Sequence, residues 1–157
     1  MSRRDEIRMS DAEVAAFLAE ERTVICATIG RDGFAHLMPL WYVIRDEEVW
    51  SWTFAKSQKV RNLERDPRAT LQVEAGEQYH QLRGVMLKCD VTVHRDTEDV
   101  AELGTELFTR YRTGGAGALD EDVRRMVLAQ APKCVALQFR VRSRVTWDHR
   151  KLASGVY

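Results

Sequence analysis

The side chains best suited to chemistry lie in residues 56–67, where a basic loop leads into a short helix. The preceding run, residues 49–55, is apolar and aromatic and alternates like a strand. Ser57 has the position of a helix N-cap, where a hydroxyl can accept a hydrogen bond from a backbone amide. The helix directs unpaired amides and its positive dipole end at the loop, where Lys56 and Lys59 add two charges. This combination predicts an anion site suited to a phosphate. The alternative is a short exposed helix with solvated lysines.

A second candidate surface is the strand predicted over residues 34–44, which is apolar on both faces from Leu37 to Ile44. Pro39 removes a ladder donor, so this strand is expected at a sheet edge or a bulge. One face can fill a barrel. The other face requires cover, either from a partner subunit, from a planar ligand, or from helices of the same chain.

The elements that must position these residues are predicted from periodicity and capping signals. Ser10 and Glu13 have the spacing of a capping box and begin a helix over residues 11–21, and further helices begin at Asp96 and Asp120. Strands are predicted over residues 23–29, 34–44, 49–55, 68–75, 79–95 and 135–147. Hairpin-linked strands followed by helices and a returning strand predict a mainly β fold with helices (α+β), built on an antiparallel barrel of six strands.

Size and composition restrict the function further. The 157 residues are expected to form a single domain, 1–157, with a flexible N-terminus at residues 1–9. Twenty-four basic and 24 acidic residues balance, which disfavours a nucleic-acid partner. No apolar run approaches the ~20 residues of a membrane span, and no secretory signal is evident, so a cytoplasmic location is expected. Three cysteines without a CxxC pair, Cys26, Cys89 and Cys134, are expected to be free and buried.

Other kinds of chemistry lack the residues that they need. The four histidines, His36, His80, His94 and His149, have no metal-ligand spacing, so no metal site is predicted, and His36 is interpreted as structural. Neither a GxSxG elbow nor a GxxxxGK phosphate loop occurs. The absence of an evident acid–base pair is consistent with an enzyme whose cofactor supplies the chemistry, and no catalytic residue is assigned.

With these segments in order, the chain resembles the flavin and deazaflavin oxidoreductases with a pyridoxamine-phosphate-oxidase-like split barrel. The resemblance covers about residues 10–150. It is carried by residues 26–29 with the turn at 32–33, by residues 38–42, and above all by residues 56–63 with residues 66–68. Within this group the chain is most similar to members that use the deazaflavin coenzyme F420.

The resemblance implies a homodimer with two cofactor sites at the subunit interface and a cofactor ring against the second strand. The positions that match the family's cofactor-binding segments are Met38, Pro39, Leu40 and Trp41 on that strand and Thr53, Lys56, Ser57, Lys59 and Asn62 around the phosphate loop. Tyr79, Trp147 and Lys151 are weaker matches that would close the site from the partner subunit.

The function implied is hydride transfer from reduced coenzyme F420 to an electron-poor unsaturated or heteroaromatic small molecule. Water, Tyr42 or Tyr79 would supply the proton. Some relatives carry an arginine in the phosphate loop where this chain has Ser57, so an FMN-dependent oxidase or flavin reductase is an alternative. A cofactor carrier without turnover and a haem-binding split barrel are further alternatives. The substrate is not identified by the sequence.

Overall fold

The computed structural model describes residues 2–152, so residue 1 and residues 153–157 of the single domain predicted over 1–157 lie outside the described residues. The strands are β1 (Val24–Ile29), β2 (Ala35–Leu40), β3 (Val43–Arg45), β4 (Glu48–Phe54), β5 (Arg68–Ala75), β6 (Arg83–His94) and β7 (Cys134–Asp148). The helices are α1 (Arg3–Glu6), α2 (Asp11–Glu20), α3 (Gln58–Arg65), α4 (Thr97–Thr113) and α5 (Glu121–Gln130), and 3-10 turns cover Tyr79–Gln81, Ala131–Lys133 and His149–Lys151.

All seven strands form one antiparallel sheet in the order β2-β1-β5-β6-β7-β4-β3. The long strands β6 and β7, of 12 and 15 residues, curl this sheet into a half-open barrel. The predicted α+β split barrel is therefore confirmed. The predicted number of six strands is wrong, because the segment predicted as one strand over residues 34–44 forms two.

The division falls at Trp41 and Tyr42, between β2 and β3. The Tyr42 amide donates to the Tyr111 hydroxyl at 3.0 Å, and the Tyr42 carbonyl accepts from Arg110 and Tyr111. Because α4 satisfies both backbone groups of Tyr42, the chain leaves the ladder with β1 and then pairs with β4 at the opposite end of the strand order. Pro39 lies in the edge strand β2, as predicted.

The core follows the predicted periodicities. Alternate residues of β5 and β6 are buried between the sheet and helices α2 and α3. Helix α4 packs on β3, β4 and β7. Its own residues Val100, Leu103 and Leu107 belong to a second apolar cluster. The helices predicted over residues 11–21, from Asp96 and from Asp120 are confirmed, including the reciprocal capping box of Ser10 and Glu13. The strand predicted from residue 79 begins only at Arg83, after the turn Tyr79–Gln81.

The N-terminal segment is attached to the last strand. Asp148 N donates to Ile7 O at 2.7 Å, Met9 N donates to Thr146 Oγ1 at 2.9 Å, and Met9 is buried. The flexibility expected for residues 1–9 stays a prediction. The three cysteines are free and buried, as expected. Over residues 2–152, none of the helices has the length and apolar composition needed to span a membrane.

Candidate functional site

The loop after β4 ends in an open helix N-terminus. Ser57 is the N-cap of α3, with an extended backbone, and Arg61 N is the first amide of the helix to find a carbonyl, that of Ser57 at 3.3 Å. Val60 and Leu63 are buried and anchor the helix, which ends at Asp66, as predicted. The Ser57 hydroxyl makes no cap bond, so that part of the prediction is wrong; its oxygen is buried and has no partner in residues 2–152.

Lys59 is the most informative side chain of the site. The residue is only 7% exposed, and its ammonium donates to Thr53 Oγ1 at 3.0 Å. Within residues 2–152, no carboxylate lies at ion-pair distance from it. Burial lowers the pKa of this ammonium. A buried cation without a counter-charge is costly, so the arrangement indicates a place for an anion.

The strand residue Met38 shares this part of the molecule. Cys26 lies opposite Met38 in the β1–β2 ladder, so both side chains project from the same face. Burial raises the pKa of the Cys26 thiol to about 12, and the positive charge of Lys59 opposes this rise. Lys59 therefore lies close to the same face. Leu40 follows Met38 on that face, whereas Pro39 projects from the other. The structure thus groups Met38, Thr53, Ser57 and Lys59, with Lys56 exposed on the same loop.

Asn62 has a different position from the one expected of a cofactor ligand. It is fully buried, and its Nδ2 donates to Thr28 Oγ1 at 3.1 Å. Its Oδ1 accepts from Gln58 Nε2 at 2.9 Å and from Arg65 Nη2 at 3.4 Å. The side chain therefore attaches α3 to β1, and it also lines the cavity beside His36.

Trp41 lies against helix α4 of its own chain. Its ring stacks on Tyr111, with centroids 4.3 Å apart and planes 12° apart, and meets Phe108 edge-on at 5.6 Å. The residue is 41% exposed. Of the three kinds of cover considered for this segment, the same-chain helix is the one observed for Trp41.

The tyrosine expected as a proton donor beside the strand is sealed in the interior. Tyr42 is fully buried, and its hydroxyl donates to Leu18 O at 2.6 Å. Burial raises the pKa of its phenol to about 12, against the opposing effect of Arg110. A phenol in this environment has no route to a substrate, so the expectation for Tyr42 is wrong.

Tyr79, Trp147 and Lys151 lie at the other end of the sheet. Thr53 pairs with Val135 near the start of β7, whereas Trp147 stands twelve positions further on, a path of about 40 Å along an extended strand. Lys151 Nζ is bound to Glu13 Oε2 at 2.7 Å and to Arg8 O at 2.8 Å. Within one chain, these residues therefore do not meet the phosphate loop.

His36 and Arg31 were not assigned to the site from the sequence. His36 lies two residues before Met38 and thus on the same strand face, and its Nδ1 is buried without a partner in the described part of the chain. Arg31 lines two cavities beside α3. The strand alternation was the available signal for His36, whereas nothing local indicated the position of Arg31.

Comparisons with known proteins identify the family of this chain. A family model described as pyridoxamine 5'-phosphate oxidase matches residues 10–139. A conserved hypothetical protein from Mycobacterium tuberculosis is 38% identical, with 96% of this chain and 92% of that chain covered and a TM-score of 0.85.

Two more distant structures share the fold. One is an F420 reductase, 20% identical over 82% of this chain and 93% of that chain, with a TM-score of 0.65. The other is a haem storage protein from Vibrio cholerae, 15% identical over 87% of this chain and 94% of that chain, with a TM-score of 0.66. No curated protein of similar sequence was found. Since the names of these two proteins refer to different ligands, the fold alone does not select the ligand.

Proposed function

The chain belongs to the pyridoxamine 5'-phosphate oxidase family, and from that premise we propose that it is a homodimeric oxidoreductase dependent on coenzyme F420. Its substrate is an electron-poor unsaturated or heteroaromatic small molecule. When bound, the cofactor supplies a hydride from its ring carbon, and the protein binds, orients and shields it.

The observation that carries this proposal is the buried, unneutralised Lys59. Among residues 2–152 its ammonium has only the Thr53 hydroxyl as a partner, and the Ser57 oxygen, which has no partner there, lies two residues away at the open end of α3. A phosphate supplies what each of these groups lacks: a counter-charge for Lys59, and acceptors for the helix amides and the Ser57 hydroxyl. The residues therefore fit a cofactor that carries a phosphate.

The protein's own groups have separate tasks in this proposal. Lys59 and the first turn of α3 hold the phosphate, with Lys56 adding charge at the rim. The face of β2 that bears Met38 and Leu40 offers an apolar wall for a flat ring and keeps water from one side of it. Asn62 holds α3 against β1, so that the loop keeps its position.

The outer side of the same sheet region supports the proposed homodimer. Leu37 is 57% exposed, and a cavity of about 350 Å³ nearby has Ala27, Ile29 and Ala35 in its wall. A second copy of the chain would cover this apolar surface. It would also bring its own Trp147 end toward the phosphate loop, which explains how the distant residues Tyr79, Trp147 and Lys151 can serve one site, as the family resemblance implies.

The FMN-dependent alternative is supported by the positions of the arginines. Arg65 is a basic residue of α3 that could contact the anionic tail of the deazaflavin, but its Nη2 donates to Ile29 O at 2.6 Å. Lys151 is bound to Glu13. Arg61 and Arg31, which have no ion pair within residues 2–152, line a cavity of about 710 Å³ and stay as the candidates for a basic track. A terminal phosphate alone would not need that track.

Binding and turnover measurements test these proposals. Purified protein should bind coenzyme F420 more tightly than FMN at physiological salt, and tighter FMN binding would promote the FMN alternative. Arg61→Ala should weaken F420 binding, with a loss that shrinks at high salt, and should leave FMN binding unchanged. Oxidation of the reduced cofactor by electron-poor acceptors separates an enzyme from a carrier, and the absorbance spectrum separates both from a haem protein.

A further inference from the structure

One buried polar atom is not explained by the phosphate loop. The Nδ1 of His36 has no hydrogen-bond partner within residues 2–152, and only the Ser57 hydroxyl oxygen shares that condition there. Native structures rarely leave an imidazole nitrogen in this state, because no hydrogen bond then offsets the free energy of removing the nitrogen from water. A ligand that supplies the partner is one physical reason for retaining such a group.

The position of His36 relates it to α3. It lies opposite Thr28 in the β1–β2 ladder. Thr28 Oγ1 accepts from Asn62 Nδ2, and Asn62 Oδ1 accepts from Gln58 Nε2 in the first turn of α3. Because Met38 projects from the same strand face two residues on, His36 lies next to the ring wall and on the flank of the helix that begins at Ser57.

The space beside His36 is open and has a cationic wall. A cavity of about 420 Å³ lies there, with Arg31, Phe34 and Gln58 in its lining. Arg31 and Gln58 also line the neighbouring cavity that holds Arg61. The only acid in the first cavity, Asp32, uses its Oδ1 to accept from Phe34 N at 3.1 Å. The two cavities thus lie along α3 with Gln58 and arginines in their walls, and the acid of the second cavity, Glu64, is paired with Arg95.

We propose that His36 and Arg31 form an anion subsite that binds a carboxylate of the cofactor beyond the phosphate held by Lys59. Nδ1 of His36 donates to a carboxylate oxygen, and Arg31 neutralises its charge. This inference rests on the proposed function. It makes His36 a residue that discriminates cofactors, since a ligand that ends at its phosphate does not extend into this subsite.

The test compares three probes: coenzyme F420, a deazaflavin that ends at its 5'-phosphate, and FMN. For His36→Phe, the Kd of F420 should rise five- to tenfold, and the Kd of the two shorter probes should change less than twofold. His36→Asn, which retains a donor near the Nδ1 position, should recover most of the affinity. His94→Phe is the matched control, because His94 contacts Gln138 and Trp50 elsewhere in the fold.

A measurement on the unaltered protein guards against variants that fail to fold. The imidazole nitrogen resonances of His36 should shift on titration with F420 and not with the shorter deazaflavin. Absent shifts, an unchanged Kd for His36→Phe, or equal losses for F420 and the shorter deazaflavin would overturn the subsite. If the unaltered protein binds none of the three probes, the proposed function itself fails. If Lys59→Ala weakens all three probes while His36→Phe weakens none, only the subsite fails.

Discussion

At the scale of single residues, the phosphate loop is defined by groups whose needs are unmet within the described chain. Lys59 is buried beside the Thr53 hydroxyl alone, and the Ser57 oxygen has no partner. Neither condition stabilises the folded protein without a ligand, because a buried charge and a buried hydroxyl both lose hydration. In the proposed function, the loop therefore binds the cofactor at a cost in folding stability. Variants can separate the effect on binding from the effect on stability.

Lys59→Ala should weaken cofactor binding by about 1.5–3 kcal/mol, the scale of a charge-assisted hydrogen bond. Lys59→Met should do the same and also raise the thermal stability of the ligand-free protein, since it removes the buried charge and keeps the apolar stem. Calorimetric titration and thermal unfolding measure the two effects. Lys88→Ala, an exposed lysine on β6, is the control and should change neither. Unchanged affinity in Lys59→Ala would mean that the phosphate binds elsewhere.

Ser57→Ala should weaken cofactor binding by about 1 kcal/mol, through the loss of one neutral hydrogen bond. The stability of the ligand-free protein should not fall, because the hydroxyl makes no cap bond and is buried without a partner among residues 2–152. Ser10→Ala is the comparison, since the Ser10 hydroxyl does cap α2 and its loss should cost about 1 kcal/mol of stability. A comparable loss of stability in both variants would show that Ser57 caps its helix in solution.

At the scale of elements, a buried group of hydrogen bonds around Tyr42 joins α2, α4 and the break between β2 and β3. The Tyr42 hydroxyl donates to Leu18 O and Glu21 O at the end of α2, and Arg110 of α4 donates to the same two carbonyls at 3.1 and 2.7 Å. The guanidinium also stacks over the Tyr42 ring. These bonds satisfy the last carbonyls of α2 and fix the point where the chain leaves the edge strand.

The Tyr42 phenol should make stability fall in alkali. Its pKa is raised by burial to about 12 in the folded protein, from 10.0 in the unfolded chain. The folded state therefore holds this proton more tightly, and the resulting stability is complete below pH 10 and is lost as the pH rises toward 12. Over this pH range, the free energy of unfolding measured in urea should fall by up to about 3 kcal/mol more in the unaltered protein than in Tyr42→Phe. Tyr79→Phe, at an exposed tyrosine, should behave like the unaltered protein.

Gly104→Ala should destabilise the protein, although alanine favours an isolated helix by about 1 kcal/mol over glycine. Gly104 is buried in α4, and a Cβ there would lie 2.6 Å from Trp52 Cζ3 and 3.0 Å from Val127 Cγ1. Both neighbours belong to packed elements, so relief requires the helix to move. Chemical unfolding measures the loss, and Glu102→Ala in the same helix is the control. A stabilised Gly104→Ala would show that α4 packs less closely on β4.

At the scale of the whole molecule, the unevenly covered sheet is the main feature. Helix α4 covers the side of β3, β4 and β7, whereas Leu37 on the edge strand is exposed beside a cavity whose wall holds both alanines and the charged Arg68 and Arg142. The residues at the far end of β7 do not meet the loop of residues 56–59 within one described chain, so their proposed role at the site requires another copy. Both features favour a dimer in which each subunit completes the other's site.

Leu37→Glu should convert the protein to a folded monomer and weaken cofactor binding, because a buried charge is incompatible with an apolar interface. Such an interface should bury more than ~2,000 Å² in total. Sedimentation at micromolar concentration measures the assembly. Leu128→Glu is the matched control, since Leu128 is 51% exposed on α5, away from β2, and should leave the dimer intact. A monomer in the unaltered protein would remove the shared site from the proposal.

The amino-acid sequence by itself determined the helix boundaries, the turns and the strand alternation. The capping box at Ser10, the stop at Asp66 and the period of two in β6 depend on residues a few positions apart, and local interactions of that kind are present in the chain before it folds. The start of helix α3 after Ser57 could be predicted for the same reason, and its role as an anion site stays a prediction.

The tertiary structure alone decided the break at Tyr42, the burial of Lys59 without a counter-charge and the orphaned nitrogen of His36. Each depends on segments that are distant in sequence: Tyr42 on Leu18 and Arg110, and Lys59 on Thr53 across the loop. It also decided that Tyr42, which proximity assigned to the site, serves packing instead. Hydrogen-bond partners are set by which surfaces meet, and that property is absent from the local pattern of any one segment.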